Sequence, residues 1–182
     1  MTIRCSVFIA ISLDGFIARR NGNIDWLTEI GNATRSEDYG YKEFIDSVDT
    51  LVIGRNTYEL GLTFQEWPYI GKRVTVLSSR SPKIPDKLSR NVEVLSCSPV
   101  ELIHRLSENG ARHVYVDGGK TIQAFLNAGL IQEMTLTHIP ILIGAGIPLF
   151  GKLDRDIRFL HIETKAYESG FVQSKYRAVN AA

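Results

Sequence analysis

The run His113-Val-Tyr-Val-Asp-Gly-Gly-Lys-Thr-Ile-Gln-Ala-Phe-Leu126 limits the possible folds more than any other stretch of the chain. Val114, Tyr115 and Val116 read as a buried strand, and Gly118 with Gly119 as a tight turn. Lys120 to Ala128 reads as a helix with Ile122, Phe125 and Leu126 on one face and Gly129 as its stop. A diglycine at this junction lets phosphates approach backbone N–H groups, and a helix start favours negative charge. Taken alone, the turn fits equally a helix start that binds nothing. Two known phosphate motifs are excluded. A P-loop ending in Gly119-Lys120-Thr121 needs a glycine where Val114 stands, and the G-x-G-x-x-G spacing is absent.

The same alternation recurs along the chain. Ile3 to Ser12 is an apolar strand, broken by Leu13-Asp14-Gly15 and followed by the polar loop Arg19-Arg20-Asn21-Gly22-Asn23. Ser36-Glu37-Asp38 opens a helix that carries Tyr41, Phe44, Ile45 and Val48. Leu51 to Gly54 is a short buried strand that turns through Arg55 into a helix stopped by Gly61. Arg73 to Leu77 and Val92 to Leu95 are strands. Ser98-Pro99-Val100-Glu101 is a capping box for a helix that ends at Gly110. Met134 to Ile139 is a strand, and Pro140 to Gly151 is a Gly/Pro-rich loop. Leu160 to Tyr167 and Phe171 to Val179 alternate as a hairpin around Glu168-Ser169-Gly170.

This order predicts an α/β fold of three αβα layers. Its central sheet is mostly parallel, with helices on both faces and an antiparallel C-terminal hairpin. A length of 182 residues predicts a single domain spanning residues 1–182. Ligands of such sheets bind beyond the C-terminal strand ends. Those ends carry Asp14-Gly15, Gly54-Arg55-Asn56-Thr57, Ser78-Ser79-Arg80 and Gly118-Gly119-Lys120-Thr121, which together describe a groove for a phosphorylated ligand.

Composition removes other classes. The net charge of +1 leaves no bulk footprint for nucleic acid or a membrane surface. Cys5 and Cys97 fit neither a disulfide framework nor a zinc site, and the four histidines lack metal-ligand spacing, so no metal is expected. No secretory segment or transmembrane-length run is visible, which predicts a cytoplasmic protein.

Five segments in order resemble the dihydrofolate reductase fold, and within it the reductase domain of riboflavin-biosynthesis enzymes. They are Ser12-Leu13-Asp14-Gly15-Phe16-Ile17-Ala18, Val52-Ile53-Gly54-Arg55-Asn56-Thr57-Tyr58-Glu59, Val76-Leu77-Ser78-Ser79, Asp117-Gly118-Gly119 with its helix, and Leu136-Thr137-His138-Ile139. The resemblance implies NADPH as cofactor and hydride transfer to a small pyrimidine- or pterin-like heterocycle. A dihydrofolate reductase and a non-catalytic nucleotide-binding module are the alternatives on the same fold. It implies cofactor contacts at Ala10, Asp14, Gly15, Ile17, Gly54, Arg55, Asn56, Thr57, Leu77, Ser78, Ser79, Arg80, Asp117, Gly118, Gly119, Lys120 and Thr121. Arg55 and Arg80 suit a 2′-phosphate because guanidinium forks match phosphate geometry. Trp26, Asp38 and Thr137 are expected in the substrate pocket, with Asp38 and Thr137 as the catalytic pair and the Asp38 carboxyl raised by an apolar surrounding. Residues 14–26 are expected to form a lid. Riboflavin-type relatives imply a homodimer. The chain departs from those enzymes in having neither an Asp-Asp-Pro run after the second strand nor the Pro-Cys-x-x-Cys of a zinc deaminase.

Overall fold

The computed structural model describes residues 3–27 and 37–179. Its elements run β1 (Arg4–Ser12), β2 (Phe16–Ala18), α1 (Tyr41–Ser47), β3 (Thr50–Gly54), α2 (Arg55–Gly61), β4 (Arg73–Leu77) and β5 (Val92–Leu95). They continue with α3 (Pro99–Glu108), β6 (His113–Asp117), α4 (Gly119–Asn127), β7 (Glu133–Ile139), β8 (Ile147–Pro148), β9 (Phe159–Ala166) and β10 (Val172–Ala178). An eight-stranded sheet has the order β5-β4-β3-β6-β1-β7-β10-β9. The six strands from β5 to β7 are parallel, and β10 runs antiparallel to both β7 and β9. This is the predicted architecture, closed by the predicted hairpin.

The central strands are apolar on both faces because both faces are covered. Leu51, Val52 and Ile53 of β3 are all fully buried. One face packs Val7, Ile11, Val52, Val114 and Val116 against Leu102 and Leu106 of α3 and Ile122 and Phe125 of α4. The other packs Leu51, Ile53, Val76 and Tyr115 against Tyr58 of α2, with Tyr41, Phe44 and Ile45 of α1 at its edge. A third cluster of Trp26, Ile139 and Phe171, with Ala10, Tyr39 and Tyr167 packed on it, continues this second face towards the hairpin. The capping box of α3 forms as its sequence predicts: Glu101 N–H donates to Ser98 Oγ at 3.3 Å, and Ser98 N–H donates to Glu101 Oε2 at 2.9 Å.

Two elements differ from expectation. The helix expected to open at Ser36-Glu37-Asp38 begins at Tyr41, and Ser36 lies outside the described residues. Tyr39 (φ 55) and Gly40 (φ 79) occupy the left-handed region, which a right-handed helix does not pass through. The Gly/Pro-rich loop after β7 is not wholly irregular, since β8 within it pairs with β2 in a small antiparallel ribbon.

Candidate active site

The chain changes direction between two neighbouring strands. After β3 it moves outward to β4, and after β6 it crosses β1 to reach β7. The connecting helices α2 and α4 therefore start side by side at the C-terminal edge but pack on opposite faces of the sheet. Such a switch point opens a crevice for ligands. The two helix starts touch. A Cβ on Gly118, whose φ is +95°, would lie 2.6 Å from Thr57 Oγ1, and a Cβ on Gly54 would lie 2.9 Å from Thr121 Oγ1. Only glycine permits this approach at both positions.

Neither α2 nor α4 has a side-chain cap or an acidic residue in its first turn, in contrast to the capped α3. Their first-turn N–H groups thus keep both their donors and the positive end of the helix dipole. A phosphate-bearing cofactor fits this chemistry.

Gly119 lies against the β2–β8 ribbon. A Cβ there would meet Pro148 O at 3.0 Å, Ile147 Cγ2 at 3.1 Å and Ile17 Cδ1 at 3.2 Å. The β2–β8 ribbon, not the crevice, crowds this glycine. Lys120 is exposed and Thr121 buried beside it. At the end of β4, Ser79 and Arg80 are exposed, Leu77 is part of the core edge, and Arg80 N–H donates to Ser78 Oγ at 3.0 Å. Asn56 is exposed, and the Arg55 guanidinium donates to both carboxylate oxygens of Glu59 one turn along α2, at 2.9 and 3.2 Å. Arg55, the first residue of α2, is thus paired with Glu59 of its own helix.

Asp14 is bonded within the protein. Its carboxylate accepts from Ser12 Oγ at 2.5 Å, from Gly144 N–H at 2.7 Å and from Ile143 N–H at 3.1 Å, and these bonds hold it below the ordinary carboxylate value. It fastens the loop after β7 to the end of β1. Leu149 N–H donates to Gly15 O at 3.0 Å, and Arg19 pairs with Asp25 at 2.7 Å. The segment expected as a lid is thus pinned at several points, with Trp26 buried beneath it.

Beside the switch point a row of residues runs across three strands. Ala10 on β1 is in register with Thr137 on β7, and Thr137 with Gln173 on β10. Asp117 on β6 shares this face, that of Tyr115 and not of Val114 and Val116, but the β1–β6 register puts it level with Phe8, two residues before Ala10. Desolvation pushes the Asp117 carboxyl from 3.8 up to about 6, against the opposing bond from Gly118 N–H at 2.7 Å. Its charge helps to raise the hydroxyls of Tyr41, Tyr69 and Tyr115, whose main cause is burial.

Asp38 is not in this row, which corrects the expected catalytic pair. It is exposed, its two oxygens accept from Gly40 N–H and Lys42 N–H at 3.0 Å each, and these bonds lower its pKa instead of raising it. Thr137 is buried as expected, but its partner is Gln173, whose Nε2 donates to Thr137 Oγ1 at 3.0 Å. Gln173 was not anticipated from the sequence. The alternation of buried Phe171 and Gln173 with exposed Val172 was its available signal.

This sheet order, switch point and hairpin define a dihydrofolate-reductase-like α/β protein. A dihydrofolate reductase from Enterococcus faecalis, solved with NADP(H) and RAB-propyl, superposes with a TM-score of 0.67 at 16% identity over 97% of each chain. Residues 5–172 match the RibD C-terminal domain family, and the chain belongs to it. A Shewanella sp. PV-4 protein provisionally assigned to riboflavin biosynthesis is 38% identical, with a TM-score of 0.90 over 98% of this chain and 100% of that one. A diaminohydroxyphosphoribosylaminopyrimidine deaminase/5-amino-6-(5-phosphoribosylamino)uracil reductase from Thermotoga maritima has a TM-score of 0.74 at 16% identity. It covers 97% of this chain but only 57% of its own length takes part. Among the described residues, no group of side chains could hold a metal ion, and no helix is long and apolar enough to cross a membrane.

Proposed function

We propose that this chain is an NADPH-dependent reductase of a small oxo-heterocycle of the pyrimidine or pterin type. The observation that carries this reading is the meeting of two uncapped helix starts at the switch point, on a sheet whose one face carries both Asp117 and Thr137. The first-turn N–H groups of α2 and α4 would hold a pyrophosphate, with Thr57 and Thr121 supplying hydroxyls. Arg55 and Arg80 flank the crevice where a 2′-phosphate would distinguish NADPH from NADH. When bound, NADPH supplies a hydride.

The rest falls to the protein. Trp26, Ile139 and Ala10 form an apolar wall that keeps water from the reacting ring. The Asp117 carboxyl, raised to about 6, keeps its proton in mildly acidic solution and delivers it to the substrate as general acid. Turnover then falls as pH rises through about 6, because the protonated form is the donor. Among the described residues the side chain bonded to Thr137 is the Gln173 amide and not a carboxylate, which favours a riboflavin-type pyrimidine over a folate. The test is NADPH oxidation measured against ribosylaminopyrimidines, pterins and dihydrofolate. Turnover of an oxo-pyrimidine supports the reading. Cofactor binding without turnover of any of them points to a non-catalytic module, and preference for dihydrofolate overturns the substrate assignment.

A further inference from the structure

At the end of the sheet away from the crevice, the imidazole of His113 opens β6 and is buried. Its partners there cannot all be satisfied at once. Arg4 Nη2 lies 2.8 Å from His113 Nδ1, and the carbonyl oxygen of Ser47 lies 3.1 Å from the same nitrogen. A guanidinium only donates and a carbonyl only accepts. One ring nitrogen accepts or donates but never both, so Arg4 and Ser47 compete for Nδ1. Ser47 Oγ, at 3.2 Å, sides with the carbonyl, because its own proton goes to Phe44 O at 2.7 Å.

The charge on the ring decides the contest. In the neutral ring Arg4 donates to Nδ1, and Nε2–H donates to Ser6 Oγ at 2.9 Å. In the protonated ring both nitrogens donate. Nδ1–H then turns to Ser47 O, Nε2–H keeps Ser6, and the Arg4 guanidinium faces a cation. Glu133 of β7 is at hand to receive it, with Oε2 at 3.9 Å from Arg4 Nη1. The other charges facing the ring are fixed by their own partners. Asp49, before β3, accepts from the His113 N–H at 2.8 Å and lies 3.4 Å from Arg73 of β4, while Arg177 of β10 lies 3.4 Å from Glu133. Burial first, and then the Arg4 charge, hold the ring below its ordinary 6.5, opposed by the Ser47 carbonyl, Glu133 and Asp49. This contribution to stability is therefore complete above pH 6.5 and is lost as pH falls through the lowered value.

We infer that His113 is a proton-operated latch, anchored by Arg4 of β1 when neutral and by the Ser47 carbonyl that ends α1 when protonated. An imidazolium at that carbonyl also meets the negative end of the helix dipole. The exchange acts on a helix that reaches the cleft. Phe44 of α1 stacks on Phe8 with centroids 4.9 Å apart, and meets Tyr115 edge-on at 5.0 Å and His113 at 5.9 Å. Tyr41, one turn earlier, is close enough to Asp117 for that charge to act on its phenol. The latch is independent of what the cleft binds.

Long-range 1H–15N NMR of the histidine rings from about pH 8 to about pH 5 reads the latch, with His113 assigned through His113→Gln. The predicted neutral ring is the Nε2–H tautomer, and the Ser47 carbonyl 13C signal moves with the midpoint of the ring. Arg4→Met should raise that midpoint by about one unit and turn the neutral ring towards the Nδ1–H tautomer. Glu133→Gln, which removes the acceptor for the displaced Arg4, should lower it. A ring that only fills space would not respond in opposite directions. Both substituted side chains are partly exposed, so both variants should fold. An Nδ1–H tautomer in the neutral wild-type ring, a Ser47 carbonyl indifferent to the titration, a midpoint unmoved by either substitution, or a ring that stays neutral until the fold is lost would each overturn the latch.

Discussion

Asp117 and Asp38 show how local surroundings divide acids that sequence treats alike. Asp38 is exposed and bonded to two N–H groups, so it stays charged. Asp117 stands at the end of a buried strand among Tyr41, Tyr69 and Tyr115, and desolvation raises it to about 6. An acid raised in the folded state favours folding fully below its unfolded value of 3.8, and that contribution is lost as pH rises to about 6. Asp117→Asn should therefore melt at a higher temperature than the wild type above pH 6 while losing turnover, and calorimetry against pH reads the first effect. A wild-type and variant difference in melting temperature that does not change with pH would contradict the raised carboxyl. At Asp38 the expectation is reversed: Asp38→Asn should keep its rate in steady-state assays and lose a little thermal stability, because it ties Gly40 and Lys42. Arg55 is held by Glu59, so phosphate must compete with a carboxylate. Glu59→Gln should tighten NADPH more than NADH, and Arg55→Ala should weaken NADPH selectively by about tenfold, both readable by calorimetric titration.

At the scale of elements, the two glycines of the central turn do separate jobs. Gly118 carries the left-handed φ and lies against Thr57. Gly118→Ala should cost ~1–3 kcal/mol in a denaturant melt and displace Thr57 from the start of α2. Gly119 sits under the β2–β8 ribbon, so Gly119→Val should lower stability by about 1–3 kcal/mol through overpacking, before any effect on ligand is considered. A Gly119→Val protein with unchanged stability would show that the ribbon yields easily. Sequence made the strand, turn and helix of this segment legible, because buried β-strands and amphipathic helices differ in period. It did not separate the glycines, because the ribbon that crowds Gly119 is built from residues 16–18 and 147–148, whose pairing has no local signature.

For the whole molecule, the parallel sheet and its hairpin were readable because apolar strands alternate with helices and the chain closes on two alternating strands. The five segments of family resemblance fall at the strand ends that form the crevice. The row of Ala10, Thr137 and Gln173 was not readable in the same way. Ala10, Thr137 and Gln173 come together only through the strand order β1-β7-β10, and the count from Gly54 that selected Asp38 could not register the left-handed turn at Tyr39-Gly40. Long-range register and single backbone reversals decide which polar side chains enter a pocket, and neither is set by local composition. The central claim is that a dinucleotide's phosphates sit between the starts of α2 and α4. Backbone amide shifts on titration with NADPH test it most directly. Saturable binding with the largest shifts at residues 54–57, 79–80 and 118–121 is the predicted result, and saturation with those amides unmoved, or no binding at all, would contradict it.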